Sequence, residues 1–149
     1  MHASLKPLEE QVIVITGASI PDAALIRKST WHLSSQAEML DWMELGPDAV
    51  LVTHVGGTYG DIAGGTYGDI AASRARWAAT WPTLPEHVRR RLVLEHDDIR
   101  FSAADVLWIH QRTGVRLIFD YQHFWCLNPE RLDMMDTIRR VLATGNRCS

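Results

Sequence analysis

RLVLEHDDIRFSAADVLWIHQRTGVRLIFD, residues 91–120, decides the architecture. Arg91–Glu95 is a short Val/Leu run without polar alternation, the pattern of a strand covered on both faces. Ser102-Ala103-Ala104-Asp105 follows as a capping box: the serine side chain can meet the third backbone N–H, and the aspartate can reach back to the serine N–H. The helix it opens is closed by Gly114. Val115–Asp120 is then a second apolar run. Strand, helix and strand in this order predict a right-handed βαβ unit and a parallel sheet.

Working outward, Val12–Thr16 and Ala49–His54 read as two further strands of the same kind. Leu33, Ala37 and Leu40 share one face of a helix running to about Leu45, which Gly46-Pro47 stops. Another helix is expected from about Ala71 to Thr80. Asn128-Pro129-Glu130 offers a cap and a proline at the first helical position. Leu132, Met135, Ile138 and Leu142 would form the stripe of that last helix, and Gly145 would end it. The chain is therefore α/β, with about four parallel βα units. That is too few to close an eight-stranded barrel, which takes about 250 residues, but enough for a partial (βα) barrel or a small open sheet.

Composition bounds the rest. The 149 residues are 46% hydrophobic and 22% charged, ordinary values for one globular domain with a real core. A net charge of −3 leaves no overall basic footprint for nucleic acid, so positive charge for DNA would have to be confined to one groove. Cys126 and Cys148 show no metal or redox spacing, which predicts a reducing, cytoplasmic compartment. Glu9 and Glu10 before a short apolar run do not make a signal peptide. No stretch approaches the roughly 18 apolar residues that span a bilayer. Gly56–Ala63 recurs unchanged as Gly64–Ala71. So short a repeat predicts a tandem duplication lengthening one loop after the second strand, since repeat architectures use periods of about 20–50 residues.

Three successive predicted strands end in a residue able to bind a metal: Val50–Thr53 in His54, Leu92–Leu94 in Glu95, and Leu117–Phe119 in Asp120, with His123 three positions on. In parallel α/β folds the carboxyl ends of strands converge on the face that carries ligands. Alone, His54 reads as a structural histidine, Glu95 as part of an acidic turn, and Asp120 as a cap. Together they make a mixed imidazole and carboxylate site for a first-row divalent ion such as Mn²⁺ or Zn²⁺.

His54-Val55-Gly56-Gly57-Thr58-Tyr59-Gly60-Asp61 resembles the histidine and glycine-rich loop of bacterial UV damage endonucleases. Leu94-Glu95-His96-Asp97-Asp98 is similar to that family's Leu-Glu-Asn-Asp-Asp signature, with histidine for asparagine, and Phe119-Asp120-Tyr121-Gln122-His123 resembles its Phe-Asp-x-x-His motif. The resemblance runs from about Trp31 to Ala143, which divides the chain into an N-terminal strand and junction (1–30) and a partial TIM-barrel domain (31–149). It implies metal-dependent nicking of UV-damaged double-stranded DNA in repair. His54, Glu95, Asp120 and His123 would be metal ligands, and Glu95 the catalytic bridge between ions. Mn²⁺ is the implied metal, with Zn²⁺ or Mg²⁺ as alternatives. The family's loop lysine is replaced by Ile62 and Ile70, and its His-Pro motif and later strands have no counterpart, so a truncated, weakly active or inactive form is expected. Exposed half-barrel edges would favour a homodimer.

Pro7–Ser19 resembles instead the first strand and turn of short-chain dehydrogenases, which raises a dinucleotide-binding module at the Thr16-Gly17 turn as an alternative. Ile20-Pro21-Asp22 stands where further glycines belong, and proline removes an amide donor. Of the tryptophans Trp31, Trp42, Trp77, Trp81, Trp108 and Trp125, most are expected in the core or at helix–sheet contacts, and Trp125 near the mouth. Arg74, Arg76, Arg89, Arg90 and Arg91 read as a solvated helix surface that could meet phosphates.

Overall fold

The computed structural model describes residues 23–56 and 70–145. The expected first strand, Val12–Thr16, the Thr16-Gly17 turn and most of the duplicated octapeptide lie outside these residues. Three parallel strands, β1 (Leu51–His54), β2 (Leu92–Glu95) and β3 (Arg116–Ile118), form one sheet in the order β1-β2-β3. Around them run α1 (Ala23–Trp42), α2 (Ile70–Thr80), α3 (Glu86–Arg91), α4 (Ala103–Thr113), α5 (Tyr121–Cys126) and α6 (Met134–Gly145), with a 3₁₀ turn at Trp81–Thr83. The architecture is the expected α/β one, a portion of a parallel barrel wall.

Register places Val52 beside Val93 and Arg116, and His54 beside Glu95 and Ile118. Side chains alternate along a strand, so Thr53, Leu92, Leu94 and Leu117 share one face and Val52, His54, Val93, Glu95 and Ile118 the other. The first face is buried beneath the helices, in a core with Ala37, Trp77, Val88, Phe101, Val106, Ile109, Val115 and Val141. The second face carries the polar strand ends and leaves Val52 and Ile118 exposed. Thr53 fits the buried side because its hydroxyl donates to the Val93 carbonyl at 3.2 Å.

Local chemistry explains the helices. α4 begins on the expected capping box, and Gly114 ends it at φ 72°, a left-handed conformation that strains any residue with a Cβ. In α1, Ser29, Leu33 and Ala37 lie four apart and face the core. That helix runs through Thr30, where the sequence suggested a junction, and stops at Trp42, before Gly46-Pro47, in a turn with Glu44 at positive φ. α2 starts at Ile70 and thus takes in the last two residues of the second octapeptide copy, which were expected to stay in the loop.

The last helix needs correction. It starts at Met134, capped by the Asp133 carboxylate accepting the Asp136 N–H at 2.8 Å, not at Pro129. Asn128 instead closes a loop on itself: its side-chain oxygen accepts the Leu132 N–H, its amide donates to the Leu132 carbonyl, and Arg131 sits at φ 54°. The buried face of α6 is Thr137, Val141 and Thr144, whereas Met135 and Leu142 are exposed. Thr144 Oγ1 accepts the Leu117 N–H at 2.9 Å and donates to the Val141 carbonyl.

Arg91 is also not a surface residue. It is buried, its Nε donates to Asp41 at 2.8 Å, and its Nη atoms reach the carbonyls of Leu45 (3.0 Å), Gly46 (3.1 Å) and Ala49 (2.9 Å). The bond from Arg91 holds the Asp41 carboxyl below its ordinary range. Arg74 pairs with Asp105 at 2.8 Å, and the guanidinium groups of Arg74 and Arg112 lie over the Trp108 ring, centroid distances 4.6 and 3.6 Å. Trp77 is core and stacks on Trp81, whereas Trp31, Trp42 and Trp125 are exposed.

Candidate metal centre

Parallel pairing puts His54 at the end of β1 directly opposite Glu95 at the end of β2. His54 Nε2 lies 3.2 Å from Glu95 Oε2. The third group comes from α5. Asp120 caps that helix, accepting the His123 N–H on Oδ1 at 2.8 Å, and this first turn swings the His123 ring toward His54, 5.6 Å between ring centroids. His123 Nδ1 meets the His96 carbonyl at 2.8 Å. A carbonyl only accepts, so Nδ1 donates to it, and Nε2 is the ring nitrogen that remains to face a metal.

One donor atom from each of His54, Glu95 and His123 lies within 4.8 Å of the others. Donors on opposite sides of a first-row ion are about 4 Å apart, twice a bond of roughly 2.0–2.2 Å, so the spacing suits one shared ion. The chemistry fits as well: two imidazoles and one carboxylate suit Mn²⁺ or Zn²⁺. Burial pushes the Glu95 carboxyl above its ordinary value, an effect that nearby His54 and His123 oppose. A carboxylate held in a partly dry site gains from a cation placed beside it.

Of the four residues expected to bind a metal, His54, Glu95 and His123 come together and Asp120 stands apart from their cluster. Its carboxylate is engaged as the α5 cap, and the His123 N–H bond keeps it below the usual range. Asp97 is spent locally, its Oδ1 accepting the backbone N–H groups of Ile99 (2.9 Å) and Phe101 (3.1 Å) in the turn after β2. The residue that sequence reasoning passed over is His96. It is fully buried, and burial lowers its pKa from 6.5 to about 4, helped by the neighbouring charge of His123. Its one signal in the sequence was the replacement of asparagine in Leu94-Glu95-His96-Asp97-Asp98. Gly56, two residues beyond His54, sits at φ 117°, a backbone shape that favours glycine.

Comparison with known proteins points the same way. A family model described as UV-endonuclease UvdE matches residues 8–148. A UV DNA damage endonuclease of Bacillus velezensis is 29% identical over 127 residues, covering 85% of this chain and 37% of the relative. A UV-damage endonuclease of Schizosaccharomyces pombe is 29% identical over 126 residues, 82% of this chain and 20% of the relative. The crystal structure of SacUVDE superposes with a TM-score of 0.74 at 29% identity, covering 89% of this chain and 42% of that one. The chain thus spans well under half the length of each of these relatives. No helix among the described residues is long and apolar enough to cross a membrane.

Proposed function

We propose, from the premise that this chain belongs to the UV-endonuclease UvdE family, that its His54–Glu95–His123 cluster holds a divalent metal for nicking UV-damaged DNA. The observation that carries this reading is the convergence of those three donors at the carboxyl ends of parallel strands, where barrel enzymes place their chemistry. A bound divalent cation would lower the pKa of a water and offset charge on a phosphodiester. Glu95, central in the sheet and paired in register with His54, would be the carboxylate ligand of the site and the residue on which cleavage would depend. The two histidines would supply imidazole nitrogens to the ion, and Asp120 would join as a fourth ligand only by giving up part of its cap.

The same reading assigns Mn²⁺ as the metal, UV-damaged double-stranded DNA as the substrate and the cytoplasm as the compartment. Cys126 is exposed and forms no disulfide among the described residues, which fits a reducing environment. Val52 and Ile118, exposed on the site face of the sheet, support a homodimer that covers them, which light scattering checks.

The test is nicking of supercoiled plasmid with and without ultraviolet irradiation, in the presence of Mn²⁺. Irradiated plasmid should be nicked and unirradiated plasmid spared, with activity lost in Glu95→Gln and on chelation. Nicking that ignores irradiation, or survives Glu95→Gln, overturns the reading.

A further inference from the structure

We infer that His96 is a positioning residue: its ring ties the end of β2 to the start of α5 and thereby aims His123 at the metal centre. This rests on the metal reading above. His96 Nε2 accepts the backbone N–H of Asp120 at 3.3 Å. Its own carbonyl accepts the ring N–H of His123 at 2.8 Å. One residue therefore holds α5 at two points, the backbone of its cap and the ring of its metal-binding histidine. Phe119 and Phe124 flank the His96 ring, with centroids 5.3 and 6.4 Å away, and the His123 ring stands edge-on to it at 6.0 Å.

A core filler would not be built this way. Accepting from Asp120 requires the neutral ring with its proton on Nδ1, and Nδ1 is buried with no hydrogen-bond partner among the described residues. Leucine would occupy the aromatic pocket without stranding a donor, so the imidazole carries a local penalty that its acceptor nitrogen must justify. Asparagine at this position can present a side-chain carbonyl to the same N–H, which makes it the conservative replacement.

Mn²⁺ affinity, read from the paramagnetic resonance of free Mn²⁺, and hydrogen exchange at the Asp120 amide in metal-free protein together test this. In His96→Leu the Asp120 amide should lose its protection and Mn²⁺ affinity should fall about 10–100-fold, as when outer-shell partners of metal ligands are removed, while the unfolding midpoint holds or rises. His96→Asn should keep the protection and most of the affinity. Wild-type affinity in His96→Leu, or no rescue by His96→Asn, overturns the inference. Should His96→Leu not fold, His96→Asn decides: Asp120 protection and Mn²⁺ affinity must move together, and protection kept with affinity lost overturns it. Wild-type protein that binds no Mn²⁺ sinks the metal reading and this inference with it, whereas a wild type that binds and a leucine variant that binds equally sink the inference alone.

Discussion

Replacing Arg91 by methionine should loosen the whole left side of the sheet. The guanidinium donates to the carbonyls of Leu45, Gly46 and Ala49 and to Asp41, so it pins the α1–β1 connection onto the last residue of α3, immediately before β2. A hydrogen bond to a charged group contributes about 1.5–3 kcal/mol when buried. The turn it holds is largely exposed, which argues for about 1 kcal/mol for each of the three carbonyl bonds and a loss of about 3 kcal/mol in Arg91→Met. Asp41 lies in water, where screening leaves an ion pair little strength, so Asp41→Asn should cost far less. Lysine keeps the charge but not the fork, and Arg91→Lys should fall between them. Urea unfolding of metal-free protein near pH 7 measures all three. Because the clamp also sets β1 against β2, Arg91→Met should weaken Mn²⁺ binding through the His54–Glu95 pairing. If Asp41→Asn destabilises as much as Arg91→Met, the ion pair and not the carbonyl clamp holds this region, and the reasoning fails.

Three further outcomes follow from the same contacts. The His96 ring is depressed from 6.5 to about 4, so between those values the unfolded chain binds the extra proton; stability is complete above pH 6.5 and falls by up to about 3 kcal/mol as pH drops to 4, a slope that urea melts in chelator should show and His96→Asn should remove. The Glu95 carboxyl is raised by burial, so its ionised form opposes folding above the ordinary carboxylate range. Glu95→Gln should therefore leave metal-free stability at pH 7 unchanged or higher while Mn²⁺ binding, followed by calorimetry, disappears. Gly114→Ala places a Cβ at φ 72° and should cost about 1 kcal/mol in thermal unfolding, comparable to removing the α4 cap with Ser102→Ala.

What could be read from residues alone was whatever local chemistry decides. The Arg91–Asp120 stretch holds its own strand, capping box, glycine stop and second strand, and each appears within a residue or two of its expected place. His54 and Glu95 were legible because strand ends in a parallel sheet share an edge, and His123 because it follows the third strand by one short helical turn. Asp120 was half legible: its position was right, but an aspartate before a helix turn serves as a cap as readily as a ligand. The start of α6 misled because Asn128-Pro129 has the composition of a helix start, whereas the Asn128–Leu132 bonds make it a closed loop. The α6 stripe was misread for a related reason. Two of its three buried residues, Thr137 and Thr144, bury hydroxyls that bond to backbone, so a search for apolar periodicity slides onto Met135 and Leu142. Arg91 and His96 were illegible because their worth lies in partners some 24 to 50 positions away in the chain.

The bond from the Leu117 N–H to Thr144 has a bearing on how this sheet meets other chains. β3 has β2 on one side, and on the other its central amide is already spoken for by a hydroxyl from α6. An incoming strand seeking to extend the sheet there would find no donor at that rung and would have to dislodge a buried threonine to obtain one. The helix thus works as a doorstop on the sheet margin. It denies a free donor at that rung to indiscriminate strand addition, the first step toward fibrous aggregates.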